Sequence, residues 1–283
     1  MRSTSETEGL TVYLAMALIP ACVLCIFYIY PLLRILIISF TEPSVGFGNY
    51  VDIASSSVIR KVIGTTLWIC SLSTLVALFF GYLLSYAILH ASPGWQRWMV
   101  TAVLLSFWVS ILIRAFAWIA LLQTRGIVNE AMQSIGLTDA PVQLIRNQIG
   151  VVIGMVHYLI PTAVMPLLAS MRNIDDRYVM AARGLGSSPF HAFRKIYFPL
   201  TLPGVFSAGI LVFIFSIGFY VTPALLGGGR VTMLAEYIAV QVSHTLAWGQ
   251  GTALAASILA MVLILLIVMA RIANFKKMFG AVK

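Results

Sequence analysis

Residues 149–171 read IGVVIGMVHYLIPTAVMPLLASM, twenty-three residues without one Asp, Glu, Lys or Arg. Coiled as a helix, the run would extend roughly 35 Å, and the hydrocarbon core of a bilayer takes roughly 20 apolar residues to cross. It therefore predicts a membrane-crossing helix. The same pattern recurs near residues 12–40, 62–89, 98–122, 204–226 and 252–272, bounded by short segments rich in Gly, Pro, Asn and Asp. The first of these is long enough that Pro20 or Pro31 should kink or tilt it. The 283 residues are 60% hydrophobic and 10% charged, whereas a soluble domain carries roughly a quarter charged residues. The expected fold class is all-α integral membrane, about six transmembrane helices in a single embedded domain over residues 1–283.

The formal charge of +9 would suit a nucleic-acid surface, but in such a chain Lys and Arg report orientation first. An even number of crossings puts both termini on one side. That side then holds eleven basic residues: Arg2, Arg97, Arg172, Arg177, Arg183, Arg194, Lys195, Arg271, Lys276, Lys277 and Lys283. The other holds five, Arg60, Lys61, Arg125, Arg146 and Arg230, while Arg34 and Arg114 fall within spans. The richer side, with both termini, is expected to be cytoplasmic, and no nucleic-acid partner is expected. The N-terminal run is too long for a signal peptide and should stay as an anchor. Cys22, Cys25 and Cys70 all lie in apolar runs and read as small hydrophobes, so neither a disulfide scaffold nor a redox site is expected.

Immediately after the opening run, residues 172–204 form the longest cytoplasmic connection. Asp175 or Asp176 can cap a helix on which Tyr178, Ala181, Ala182 and Leu185 share one face, with Gly186 ending it. Ser188 followed by Pro189 starts a second short helix, with Phe190 and Phe193 on its apolar side, that should stop near Pro199. Arg177, Arg183, Arg194 and Lys195 rim the pair. Such a knob suits either a protein partner or a hairpin lying on anionic lipid headgroups. On the opposite side Ile127, Val128, Ala131, Met132 and Ile135 recur at helical spacing before Gly136, predicting a short external amphipathic helix.

The run Ala181-Ala182-Arg183-Gly184-Leu185-Gly186, followed by Ile196-Tyr197-Phe198-Pro199 and Pro203, resembles the motif of binding-protein-dependent ABC importer permeases. That motif reads Glu-Ala-Ala, three residues, Gly, nine residues, Ile, one residue, Leu-Pro. Met180 stands at the Glu and Phe198 at the Leu. Phe47-Gly48-Asn49-Tyr50, Leu112-Ile113-Arg114, residues 124–130 and the run from Tyr220 to Gly228 resemble the branch that contains spermidine and putrescine importers. The resemblance implies a permease module over about 61–272 with a coupling-helix hairpin, about 172–200, between the fourth and fifth spans. Met180, Ala181, Ala182, Gly186, Ile196 and Pro199 would carry the contact to an ATPase subunit. It also implies ATP-binding cassette subunits that bind ATP and Mg, a second, different permease as a heterodimer partner, a periplasmic binding protein, and a place among the lipids of a bacterial inner membrane.

This chain cannot hydrolyse ATP by a P-loop, because no Gly is followed by Lys. Gly227-Gly228-Gly229, followed by Arg230, reads as a flexible turn. His90, His157, His191 and His244 are scattered without metal-ligand spacing, so neither a catalytic constellation nor a cofactor or metal site is expected in this chain. The alternative class, a secondary transporter, would normally place carboxylates or broken helices at mid-membrane, and all nine acidic residues can be assigned to tails and connections. Candidate pathway residues are the polar ones within spans: Arg114, His157, Tyr158, Ser216, Tyr220 and Thr222. The expected substrate is a small solute of the polyamine, opine or amino-compound type, aminophosphonates included. Ala224 stands near a position where polyamine members of the family typically carry an acid, and its neutrality weighs against a polycation.

Overall fold

The computed structural model describes residues 16–280, and every regular element among them is a helix. In chain order these are α1 (Met16–Thr41), α2 (Gly48–Ser55), α3 (Ser57–His90), α4 (Pro93–Trp108), α5 (Ile111–Leu122) and α6 (Ile127–Ser134). They continue as α7 (Gln148–Arg172), α8 (Arg177–Gly184), α9 (Pro189–Ile217), α10 (Val221–Gly227), α11 (Leu234–Ser243) and α12 (Trp248–Gly280). Six stretches of the described chain are long and apolar enough to cross a membrane: α1, α3, Ile111–Ser134, α7, α9 and Trp248–Val268.

Two compact units can be distinguished, one formed by Arg60–Tyr237 and one by Met1–Ile59 with Ile238–Lys283. In the first, α7 is the core. The Asn147 side chain accepts from Gly150 N at 3.0 Å and caps it, and the helix then runs on through Pro161 and Pro166. Leu159, Ala163 and Leu167 are fully buried along it. Lipid is as apolar as leucine, so burial alone gains little there and close packing must hold the helices together. Small residues allow it. A Cβ on Gly81 of α3 would lie 2.9 Å from the Ala163 Cβ, and one on Gly204 of α9 would collide with Ser170. Ile88 and Val103 from α3 and α4 close over Val164 and Leu168 of α7.

In the second unit α12 packs along α1 and α2. Asn49 ties the turn between α1 and α2 by donating to the carbonyls of Ser39 (2.9 Å) and Glu42 (2.7 Å). Phe40 and Tyr50 lie ring to ring at 4.9 Å beside it.

Where the sequence predicts a kink or tilt at Pro20 or Pro31, α1 carries a π-turn at Cys25–Ile29, in which Tyr30 N bonds Cys25 O, just before Pro31. Three expectations change. The second knob helix does not stop near Pro199: a π-turn at Phe193–Tyr197 precedes that proline, Phe198 N bonds Phe193 O, and the helix continues to Ile217. In both places the wider turn makes room for a proline ring that would otherwise meet the carbonyl four residues back. The span expected at 98–122 is two helices, parted where Val109 and Ser110 are extended. The apolar length resumes as Ile111–Ser134, a stretch that takes in Glu130. Likewise the span expected at 204–226 ends at Ile217, and Gly218 to Tyr220 separates it from α10.

Candidate functional site

Gly154 lets α10 lie against α7, since a Cβ there would stand 2.8 Å from Thr222 Cγ2 and collide with Leu226. That close approach sets Thr222 and Tyr158 beside α5. Arg114 on α5 is 8% exposed, and its Nη2 donates to the Val109 carbonyl at 2.7 Å, the carbonyl freed where α4 ends. Its guanidinium carbon lies 4.7 Å from the centroid of the Tyr158 ring, while its Nε has no hydrogen-bond partner. A void of about 10 Å³ is walled here by Arg114, Trp118, Gly154, Tyr158 and Thr222, among others.

Sharing Ile111 and Tyr158 with this void is a groove of about 470 Å³, lined by Ile111, Tyr158, Ile214, Phe215, Gly218, Phe219, Tyr220 and Val221. Phe219 meets Tyr158 edge to face at 5.0 Å. The groove is thus aromatic and apolar, its lining side chains polar only at Tyr158 and Tyr220. No carboxylate lines it.

Of the six predicted pathway residues, Tyr158 and Tyr220 line this groove, and Arg114 and Thr222 line the small void. His157 points elsewhere; it is exposed, and its Nδ1 accepts from Trp118 Nε1 at 3.0 Å. Ser216 is fully buried and donates to the Phe213 carbonyl at 2.7 Å, so it satisfies its own helix. Trp118, Ile111, Phe215 and Phe219 escaped the sequence reading because they are apolar residues in apolar runs.

The 172–200 segment forms its own feature. Asp175 Oδ1 accepts from Arg177 N at 2.9 Å and starts α8, whereas Asp176 at the cap position makes no such bond. Gly186, at φ +90°, ends α8: Gly186 N bonds Arg183 O at 3.0 Å and Ser187 N bonds Ala182 O at 3.1 Å, a Schellman closure. Ser188 Oγ then accepts from His191 N at 3.3 Å to start α9. Ala182, Ala192 and Tyr197 face inward, with Ile196 half-buried. Tyr178, Met180, Leu185 and Phe190 stand exposed, Leu185 at 89%, as do Ala181 and Pro199.

The short helix α6, with its stop at Gly136 (φ +72°), is where periodicity puts it. Its anchor is fully buried Asn129, which exchanges hydrogen bonds with Val142 (2.8 and 3.0 Å). Gly228 and Gly229 both take left-handed φ in the turn after α10. Among the described residues no cluster of His, Cys, Asp and Glu could hold a metal ion.

Residues 10–277 match the family described as binding-protein-dependent transport system inner membrane component. The chain is 27% identical over 220 residues to the spermidine/putrescine transport system permease protein PotB of Haemophilus influenzae, covering 78% of this chain and 77% of that protein. To PotB of Escherichia coli it is 30% identical over 182 residues, 64% of this chain and 66% of that one. Its fold is similar to a chain of a bacterial ABC transporter involved in the import of the acidic polysaccharide alginate, with a TM-score of 0.76 and 19% identity over 97% of this chain and 99% of that one. The same TM-score relates it to the bacterial alginate ABC transporter crystallised in complex with an alginate pentasaccharide-bound periplasmic protein, at 19% identity over 95% and 96% of the two chains.

Proposed function

On the premise that this chain belongs to the binding-protein-dependent transport system inner membrane component family and is the permease subunit of a type I ABC importer, we propose that its exposed 172–200 knob is held by an ATPase subunit. Family membership sets the secondary-transporter reading aside. The observation that carries the proposal is the apolar surface of Tyr178, Met180, Leu185 and Phe190, flanked by exposed Arg177, Arg183, Arg194 and Lys195. Aromatic and aliphatic side chains standing clear of their own fold mark a surface built for a partner. With Met in place of the motif's Glu at position 180, apolar packing carries the contact. Both chain termini then lie on the knob's side, in the cytoplasm. ATP and Mg are bound by the partner, and this subunit is not itself an enzyme.

The proposed pathway runs along the groove of Tyr158, Phe219 and Tyr220, with a second permease subunit, a different chain, completing the pore. The alginate transporter crystallised with a periplasmic protein supports a binding-protein partner here. The substrate proposed is a small polyamine, opine or other amino compound, the class suggested by the spermidine/putrescine relatives. Within it, a groove without a carboxylate and a buried guanidinium behind Tyr158 favour solutes that carry an acidic group.

Co-purification tests the knob. Leu185→Asp and Phe190→Asp each bury a charge in the contact and should abolish retention of the ATPase subunit while the permease stays folded. Full retention by both would refute the reading.

A further inference from the structure

Rings from two helices interlock where α9 begins. On α3, Tyr82, Tyr86 and His90 recur every four residues and share a face. On α9, Phe193 and Tyr197 stack at 5.8 Å and 25°, with Phe198 beside them. Tyr86 presses edge to face on Phe193 (5.6 Å, 85°) and on Tyr197 (5.6 Å, 79°). Tyr82 meets Phe198 at 5.9 Å, and its hydroxyl pairs with Thr201 Oγ1 at 3.2 Å. His90 leans on Tyr86 at 4.1 Å and bonds the Tyr86 carbonyl through Nδ1 at 2.8 Å, which keeps the ring of α3 facing α9. Tyr197 is 5% exposed.

Position gives this cluster its meaning. Phe193 and Tyr197 are the first and last residues of the π-turn that joins the knob to the body of α9. A π-turn is a local departure from the α register, found often at functional sites, so the knob can swing there at lower cost than in a regular helix. Without a second attachment such a swing would be absorbed in the turn. The ring cluster supplies that attachment, because both ends of the turn are held by Tyr86 of a different helix.

We propose that Tyr86, Phe193 and Tyr197 form a clasp that transmits movement of the knob to α3, positioning residues that couple ATP hydrolysis to transport without touching the solute. The proposal rests on the reading that the knob receives the ATPase subunit.

The test uses the assembled transporter in lipid nanodiscs or proteoliposomes, reading retention of the ATPase subunit and ATP hydrolysed per solute imported. Tyr86→Leu removes the ring edge and should raise that ratio at least tenfold with the ATPase subunit retained. Tyr86→Phe keeps the ring and should restore the ratio to within twofold of the native protein, since the ring makes the contacts. An unchanged ratio in assembled Tyr86→Leu overturns the clasp. Should Tyr86→Leu fail to assemble, Phe193→Leu takes its place, and failure of both overturns the proposal in favour of rings that only hold the fold. If Leu185→Asp leaves the ATPase subunit bound, the knob reading itself falls, an outcome separate from the ratio measured in the Tyr86 variants.

Discussion

The guanidinium of Arg114 lies over the ring of Tyr158, 4.7 Å from its centroid, and the same tyrosine lines the groove. A cation–π contact of this kind is worth about 0.5–2 kcal/mol, and Lys cannot reproduce the planar stack. Arg114→Lys should therefore lower uptake roughly two- to thirtyfold, as that energy range implies. Arg114→Ala, which also strands the Val109 carbonyl, should lower it further. Uptake into membrane vesicles measures both, and native rates in both would remove Arg114 from the pathway.

Gly186→Leu should detach the ATPase subunit by disordering the knob. No atom stands within 4 Å of the Cβ it would add, so the damage comes from the backbone: a left-handed φ costs a non-glycine residue about 1–2 kcal/mol. Gly186→Ala meets the same penalty, and Gly186→Asn, better suited to that conformation, should retain more of the subunit in pull-down.

A methyl group at Gly154 has nowhere to go between Thr222 and Leu226. Gly154→Ala should cost about 1–3 kcal/mol, as overpacking does, and lower the melting temperature of the purified protein. Because α10 would shift and take the neighbouring groove wall with it, uptake should fall as well. A native melting curve would show that α10 yields freely.

Glu236, in the first turn of α11, has one carboxylate oxygen without a partner. Burial pushes its pKa above the ordinary 4.5, and a backbone hydrogen bond at Met233 offsets only part of this. The folded protein then holds the proton more tightly than the unfolded chain. Stability is unaffected below the ordinary value and falls as pH rises from it through the raised folded value. Glu236→Gln removes the ionisation and should melt higher than the native protein at about pH 7, the difference closing toward about pH 4. A constant difference across pH would mean that ionisation is not the cause.

Ala224→Asp tests the substrate. A carboxylate there should slow uptake of an acidic solute about tenfold by repulsion, roughly 1.4 kcal/mol, with binding-protein delivery intact. Faster uptake of putrescine by the Asp variant, from a native protein that already imports it, would assign the substrate to the polyamines.

The spans were legible because runs without charge, such as residues 149–171, admit one reading in a chain this apolar. Knob boundaries were legible for a different reason: Gly186, Ser188 and Pro189 are punctuation with fixed stereochemistry. Where the chain breaks without punctuation, at Val109 and Ser110, nothing in the hydropathy marks it. Pro199 misled because a proline stops a helix only if the preceding turn cannot widen, and here it widens. Among the candidate pathway residues, polarity inside a span picked out Tyr158 and Tyr220, which line the groove, and equally Ser216, whose hydroxyl bonds its own helix. Phe215 and Phe219 were hidden because an aromatic ring facing a groove and one facing lipid are the same letter.

The parting between α4 and α5 bears on how these two helices behave under load. A continuous helix resists bending through its ladder of backbone bonds, but at Val109 and Ser110 that ladder was never built. Among the described residues one side-chain bond, Arg114 to the Val109 carbonyl, spans the joint. Val109 and Ser110 stand exposed on this chain, so this is a joint pinned by a single cation whose release would let one half tilt while the other stays put.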